Sequence, residues 1–159
     1  MPVPCRISVD AGTVIAVPTS AFVVIQGTNS ASKPTRLKRI QFQSNQPGAN
    51  QQIVQLQLIT YATATSTAGT TPAAQPVDDA LVGVYTPATL FRAGTATLGT
   101  TPTNKMMWQW NTANPFDIVD GLQELQDEFA VSKVWAVIIP AAPAVTFNLT
   151  GILNFEEFG

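Results

Sequence analysis

The C-terminal part of the chain carries the pattern that most restricts the possible fold, an alternation of apolar and polar residues with a period of two. One parity is apolar apart from Gly151, and the other is polar apart from Ile152. Successive side chains of a strand point to opposite faces of a sheet, so the pattern predicts one long, half-buried β-strand with a bulge or bend at Gly151. The apolar residues of this run are Val145, Phe147, Leu149, Leu153 and Phe155.

Similar alternation recurs along most of the chain. It is clear where apolar residues alternate with glutamine between residues 51 and 61, and where Trp108 and Trp110 stand two apart. Segments rich in Thr, Ala, Gly and Pro separate the alternating runs. The longest of these, 63–77, exceeds an ordinary connection and is either a contact loop or a loop without a partner. Strands are predicted at about 13–17, 20–26, 35–44, 51–61, 80–85, 90–97, 106–111, 131–139 and 145–155.

One segment has helical spacing. In residues 114–129 the apolar residues Ile118, Leu122, Leu125 and Phe129 follow i, i+4, i+7, which predicts a short helix or helical turn. The acids of the segment would then form either a solvated face or a cation site.

These patterns predict an all-β protein, a single jelly-roll β-sandwich of about eight antiparallel strands with at most one short helix. Strands do not alternate with helices, which argues against a parallel sheet. No repeat, linker or change in composition divides the chain of 159 residues. We therefore expect one jelly-roll domain over residues 16–159, preceded by an N-terminal extension or first short strand in residues 1–15.

The residue types present leave little room for catalysis. The chain has no histidine and a single cysteine, Cys5, so zinc sites and Ser-His or Cys-His nucleophiles are excluded. No phosphate-binding or dinucleotide-binding glycine motif is present. The expectation is a protein that is not an enzyme, with no catalytic residues, no metal site and no cofactor.

Charge is unusually sparse, at 11% of residues against about 25% in typical proteins. Such a surface either is covered by partner subunits or is simply neutral and rich in Thr and Gln. The net charge of −2 predicts no direct binding of nucleic acid. No apolar run is long enough to span a bilayer and no signal segment stands at the start, so we expect no membrane contact and synthesis in a cytoplasm.

Two small groups are candidate contact residues. Half of the eight cations are concentrated at Lys33, Arg36, Lys38 and Arg39. On a regular strand Arg36 and Lys38 share one face while Arg39 takes the other, giving either a charged edge that deters strand addition or a contact with an acidic partner.

Trp108 and Trp110 form the second group and share one strand face. They predict core packing, a sugar-stacking platform or a subunit interface.

Four segments together resemble small jelly-roll virion proteins of tailed bacteriophages, the head decoration or cement proteins. They are RLKRIQFQS, QIVQLQLITYATATSTAGTTPAAQPVD, MMWQWN and VTFNLTGILNFEEF, within residues 35–159. The resemblance implies a homotrimer on the outer surface of a phage head, where it binds the major capsid protein and stabilises contacts between its subunits. It makes the basic cluster the candidate capsid contact and the two tryptophans the candidate subunit interface.

A second hypothesis is a receptor-binding or carbohydrate-binding jelly-roll module of a phage tail or fibre. It would use the tryptophans or the long loops to bind glycans.

Overall fold

A computed structural model describes residues 3–14, 22–28, 34–45, 51–61, 75–76, 89–95, 103–119, 128–129, 134–141 and 143–158. All regular secondary structure within these ranges is β. The strands are β1 (Val3–Val14), β2 (Phe22–Thr28), β3 (Thr35–Ser44), β4 (Ile53–Tyr61), β5 (Gln75–Pro76), β6 (Thr89–Thr95), β7 (Thr103–Asn111), β8 (Phe116–Val119), β9 (Glu128–Phe129), β10 (Val134–Ile139) and β11 (Phe147–Glu157).

The strands form two antiparallel sheets. In sheet A the order is β5-β1-β11-β3-β8, and β9 also pairs with β3; in sheet B the order is β6-β2-β10-β4-β7. Apolar residues from both sheets form one buried core cluster. The predicted all-β sandwich is confirmed, while the jelly-roll connection of its strands stays a prediction.

The alternation of the sequence sets which face of each strand is buried. In β3, Ile40 and Phe42 are fully buried while Gln41 and Gln43 point outward. In β4, Val54, Leu56 and Leu58 enter the core and the glutamines between them face out, as the pattern predicts. The N-terminal segment contains a long strand, β1, that pairs with β11 from Val3 to Val14.

β10 departs from simple alternation because it is buried on both faces. All six of its residues, Val134 to Ile139, are at most 1% exposed. Trp135, Val137 and Ile139 belong to the core between the sheets, so the residues between them lie buried on the other face. A continuous apolar run is typical of such a fully buried strand, and each large side chain buried in this way contributes about 1.5–3 kcal/mol.

The predicted helix at residues 114–129 is wrong at both ends, because its last two residues, Glu128–Phe129, are strand β9, paired with β3. Residues 112–114 form a turn, and Phe116–Val119 is strand β8, paired with β3. The tertiary pairing overrides the helical spacing because Phe116 and Ile118 fit the inward parity of a strand equally well. Residues 120–127 of that segment, most of loop 63–77 and the predicted strand at 80–85 lie outside the described residues. The described part of the chain contains no helix that is long and apolar enough to cross a membrane.

Gly151 marks a close approach between strands. It lies opposite Phe42 of β3 and Val9 of β1. A Cβ at this position would overlap the carbonyl oxygen of Gln41 and lie 2.6 Å from the Phe42 ring. The register shifts of β11 occur elsewhere, beside Gly12 and Phe155, so glycine is required here for space rather than for a bulge at the glycine itself.

We expect Gly151→Ala to lower the free energy of unfolding by about 3 kcal/mol, the upper end of the cost of overpacking, because β11 and β3 must separate. Thr150→Ala, one residue away and exposed, is the matched control and should change stability little. Urea unfolding of the three proteins measures the difference. Equal stability of Gly151→Ala and wild type would contradict the close approach.

Candidate interaction surfaces

The cations of β3 lie together on the outer face of sheet A. Arg39 pairs with Asn154 of β11, but the next pair joins Leu37 to Phe155, so Lys38 is an extra residue in β3. This bulge shifts the parity, and Arg36, Lys38 and Arg39 are all partly exposed. The expectation that Arg39 would face away from the other two was wrong because a regular strand was assumed. Lys33 lies outside the described residues.

Each of the three cations has a partner within the chain. Arg39 binds Asp117 of β8 through two hydrogen bonds, from Nε to Oδ1 at 2.8 Å and from Nη2 to Oδ2 at 2.5 Å. Lys38 Nζ lies 3.7 Å from Glu156 Oε2. The Arg36 guanidinium lies over the Phe158 ring, 5.3 Å from its centroid, where the ring quadrupole attracts a cation.

The Arg39–Asp117 pair perturbs the ionisation of both groups. The hydrogen bonds from Arg39 lower the pKa of the Asp117 carboxyl, and the same contact raises the pKa of the Arg39 guanidinium. Both side chains are more than a third exposed, so water and salt screen the pair and its effect on stability is small. Two members of the basic cluster, Lys38 and Arg39, are therefore paired with acids that are distant in sequence.

The two tryptophans face the core rather than open solvent. Trp110 is 2% exposed, and its ring Nε1 donates to the Asn114 carbonyl at 2.7 Å. Trp108 is partly exposed and packs against the core. Phe116 holds both, with ring centroids 5.8 Å from Trp108 and 6.4 Å from Trp110. The core interpretation fits this geometry. The subunit-interface prediction remains untested, and of the two only Trp108 offers surface to a partner.

The outer face of β4 and β7 is broad and nearly uncharged. Ile53 is 70% exposed and Met107 52% exposed. Gln55 and Gln57 both donate side-chain N–H groups to the sulfur of Met107, across the pair of strands. Among the outward residues of these two strands that the structure describes, Lys105 alone carries a charge. This face was missed in the sequence analysis, although the Gln alternation signalled it.

A hydrogen-bonded corner fixes one end of the sandwich. Thr112, only 2% exposed, donates its backbone N–H to the Gln52 carbonyl at 3.0 Å, and its Oγ1 accepts the Gln52 N–H at 3.1 Å. The Gln52 side chain in turn bonds both the N–H and the carbonyl of Val145. Ser44 Oγ donates to the Thr112 carbonyl at 2.7 Å. The corner joins β3, the start of β4, the β7–β8 turn and the segment before β11 by hydrogen bonds.

Beside this corner lies an open pocket of about 220 Å³. Its side-chain groups are neutral amides and hydroxyls, so it offers hydrogen bonds without charge. The lining residues are Gln43, Ser44, Thr112, Ala113, Asn114 and Pro115.

The described residues contain no group of three or more His, Cys, Asp or Glu side chains that could hold a metal ion. Asp117, one of the acids considered for a cation site, is instead engaged by Arg39.

Comparison with known proteins gives little likeness. No protein-family model matches the chain, and no curated protein matches it. A chain of the "Crystal structure of the T13 IBDV viral particle reveals a missing link in icosahedral viruses evolution" aligns with 16% identity and a TM-score of 0.19. The alignment covers 96% of this chain but 39% of that one, and a TM-score of this size carries no argument about fold or function.

Replacing Thr112 by valine keeps its shape but removes the hydroxyl. We expect a loss of about 1–3 kcal/mol in the free energy of unfolding, because the Gln52 N–H loses its acceptor in a partly buried site. Thr150→Val, at an exposed strand position, is the control. Thermal and urea unfolding measure both, and unchanged stability of Thr112→Val would show that the corner is not a structural tie.

Titration of Asp117 tests the charge pairing on sheet A. Its carboxyl pKa, measured by NMR, should lie below the ordinary value of about 3.9 and return towards it in Arg39→Gln. Because the pKa is lowered in the folded state, the small stabilisation is present above the ordinary pKa and is lost as the pH falls through the lowered one. Lys38→Gln should leave the Asp117 pKa in place, because Lys38 faces Glu156.

Proposed function

We propose that this chain is a structural protein of a virion, with a jelly-roll fold, that decorates the outside of a phage head and stabilises contacts between major capsid subunits. The observation that carries the proposal is the nested order of strand pairing. Jelly rolls are found in viral capsid and lectin domains, so the fold supports the class and surface chemistry must choose within it.

Eight of the strands pair in the nested order of a jelly roll, in which the first strand pairs with the last, the second with the second-last, and so on. The pairs are β1 with β11, β2 with β10, β3 with β8 and β4 with β7. Two further pairings, β11 with β3 and β10 with β4, place alternate pairs side by side in each sheet. A long hairpin folded over into two sheets has this order, and β5, β6 and β9 are additions to it.

The surface supports a decorating role over one that contacts packaged nucleic acid. Binding to phosphates needs many unneutralised Lys and Arg side chains. The chain has eight Lys and Arg residues in all and a net charge of −2. Three of these cations, Arg36, Lys38 and Arg39, already contact Phe158, Glu156 and Asp117. A broad amide-rich face suits contacts that are individually modest and repeated by symmetry, where the sum of many contacts gives the strength.

Immunogold electron microscopy of purified particles of the phage that encodes this chain tests the proposal. We expect gold on the outer surface of intact heads. Particles lacking the protein, made by deleting its gene, should still assemble but lose their DNA at lower temperature, because the protein adds contacts between existing subunits. Label confined to tails, absence from particles, or failure of the deletion strain to form any head would overturn the decorating role.

The neutral pocket at Gln43 and Asn114 favours a second candidate, a carbohydrate-binding module. Its amide and hydroxyl groups match the donors and acceptors of a neutral sugar. A glycan array probed with wild type and with the Gln43→Ala/Asn114→Ala variant tests it. Binding that this variant loses would support the candidate, and an array without signal would remove it.

A further inference from the structure

The free edge of β7 belongs to the longest edge strand of the two sheets among the described residues. β7 is nine residues long and closes sheet B, whereas β8 at the neighbouring edge of sheet A has four residues. Five alternate side chains of β7 are exposed, so no part of the chain that the structure describes covers their outer side: Thr103, Lys105, Met107, Gln109 and Asn111. Natural edges are usually blunted by proline, by several charges or by a covering segment. Residues 106–111 of β7 contain neither proline nor charge.

The hydrogen-bond parity of β7 follows from one observed bond. The Thr112 N–H donates to the Gln52 carbonyl, and residues 52 and 112 continue the register that pairs Ile53 with Asn111. Hydrogen-bonded and non-hydrogen-bonded pairs alternate along an antiparallel ladder. The pairs of Gln109 with Gln55 and of Met107 with Gln57 are therefore non-hydrogen-bonded, and the backbone groups of Met107 and Gln109 point away from β4 to the free edge.

We propose that this edge is a homotypic interface, in which β7 pairs antiparallel with β7 of a second copy about a two-fold axis at Trp108. This register sets Met107 opposite Gln109 of the other copy, and the reverse, so that these two outward-pointing residues of each strand form hydrogen-bonded pairs. It sets Lys105 opposite Asn111 and brings no like charges together. A register centred on Met107 would instead set Gln109 opposite Lys105, where β7 bulges between Met106 and Asn104.

The side chains around the edge suit a second copy. Trp108 is partly exposed, and on the axis it meets its own counterpart in a non-hydrogen-bonded pair, where side chains come closest. Phe116 packs edge-on against Trp108 from behind, so the strand is held in place before it pairs. Met107, 52% exposed, gains cover from the facing glutamine. The interface uses the exposed part of Trp108, and the proposal does not depend on a role in virions. A two-fold pair is an alternative to the homotrimer that the resemblance implies, because three chains related by a three-fold axis cannot pair β7 with β7.

A charge swap at the facing positions tests the pairing. Met107→Lys/Gln109→Lys sets lysine opposite lysine twice across the axis, whereas Met107→Lys/Gln109→Glu sets lysine opposite glutamate twice. Both variants carry charged side chains at the same two exposed sites. Opposite charges directly across strands stabilise and like charges destabilise, so the dissociation constant of the dimer should be about tenfold or more higher for the first variant. Ala141→Lys/Ala144→Lys, at exposed sites elsewhere, matches the added charge and should dimerise like wild type.

Analytical ultracentrifugation and native mass spectrometry give the readout. We expect wild type and the Lys/Glu variant at twice the chain mass of 16.9 kDa and the Lys/Lys variant at one chain mass. A monomeric wild type, an assembly with an odd number of chains, or a Lys/Lys variant as dimeric as the Lys/Glu variant would overturn the proposal.

If the Lys/Lys variant fails to fold, as judged by circular dichroism, amide hydrogen exchange in wild type decides. The N–H groups of Met107 and Gln109 should become protected as protein concentration rises, while the N–H of exposed Thr150 should not follow concentration. Exchange at Met107 and Gln109 that is independent of concentration would overturn the pairing.

Discussion

The pairing of β11 between β1 and β3 is the interaction on which most of the sandwich depends. The last described strand joins the first, and the loop closed in this way spans nearly the whole chain. Closing a long loop costs conformational entropy, which only the contacts made after closure can offset. Here the offsetting contribution comes from burial of inward side chains, each at most 3% exposed: Phe147, Leu149, Leu153 and Phe155. Gly151 lets the strands approach at a point where a side chain would not fit.

The same strand organises the charges of the outer face. Asn154 accepts a hydrogen bond from Arg6 on one side, and Glu156 lies beside Lys38 on the other. The bulge at Lys38 adds Arg39 to this face, where Asp117 of β8 binds it. Arg6, Lys38 and Arg39 thus share a surface with acids of β8 and β11, which gives a mixed surface in place of a basic patch. Surfaces of this kind set orientation and specificity of contact more than they set affinity.

The two sheets present chemically different surfaces, one charged and one nearly neutral. Sheet A carries the paired charges, and the β4–β7 side of sheet B carries amides, a thioether and an exposed isoleucine. The hydrogen-bonded corner at Thr112 and the aromatic cluster at Phe116 hold the residues on the β7 side in place. A surface that is ordered before it binds loses little entropy on association.

The sequence by itself determined the class of fold and the inward face of most strands, because the period of two is a local property that survives in any β-sheet. The alternation placed the buried residues of β4 and β11 correctly, together with Ile40 and Phe42 of β3. It was wrong for Val145, which is 40% exposed because β11 begins only at Phe147, and the bulge at Lys38 buries Leu37 against the alternation. The absence of histidine restricted the chemistry without any structure. The tertiary structure decided the rest. The start of the predicted helix is instead β8 because Phe116 and its neighbours pair with β3. Arg36, Lys38 and Arg39 lie on the same face of sheet A because of a bulge at Lys38, which shows only in the pairing of β3 with β11. The contacts of Lys38 and Arg39 with Glu156 and Asp117, and the direction of the Met107 and Gln109 backbone groups, depend on which strands meet, and that pairing is fixed by contacts between residues far apart in the chain.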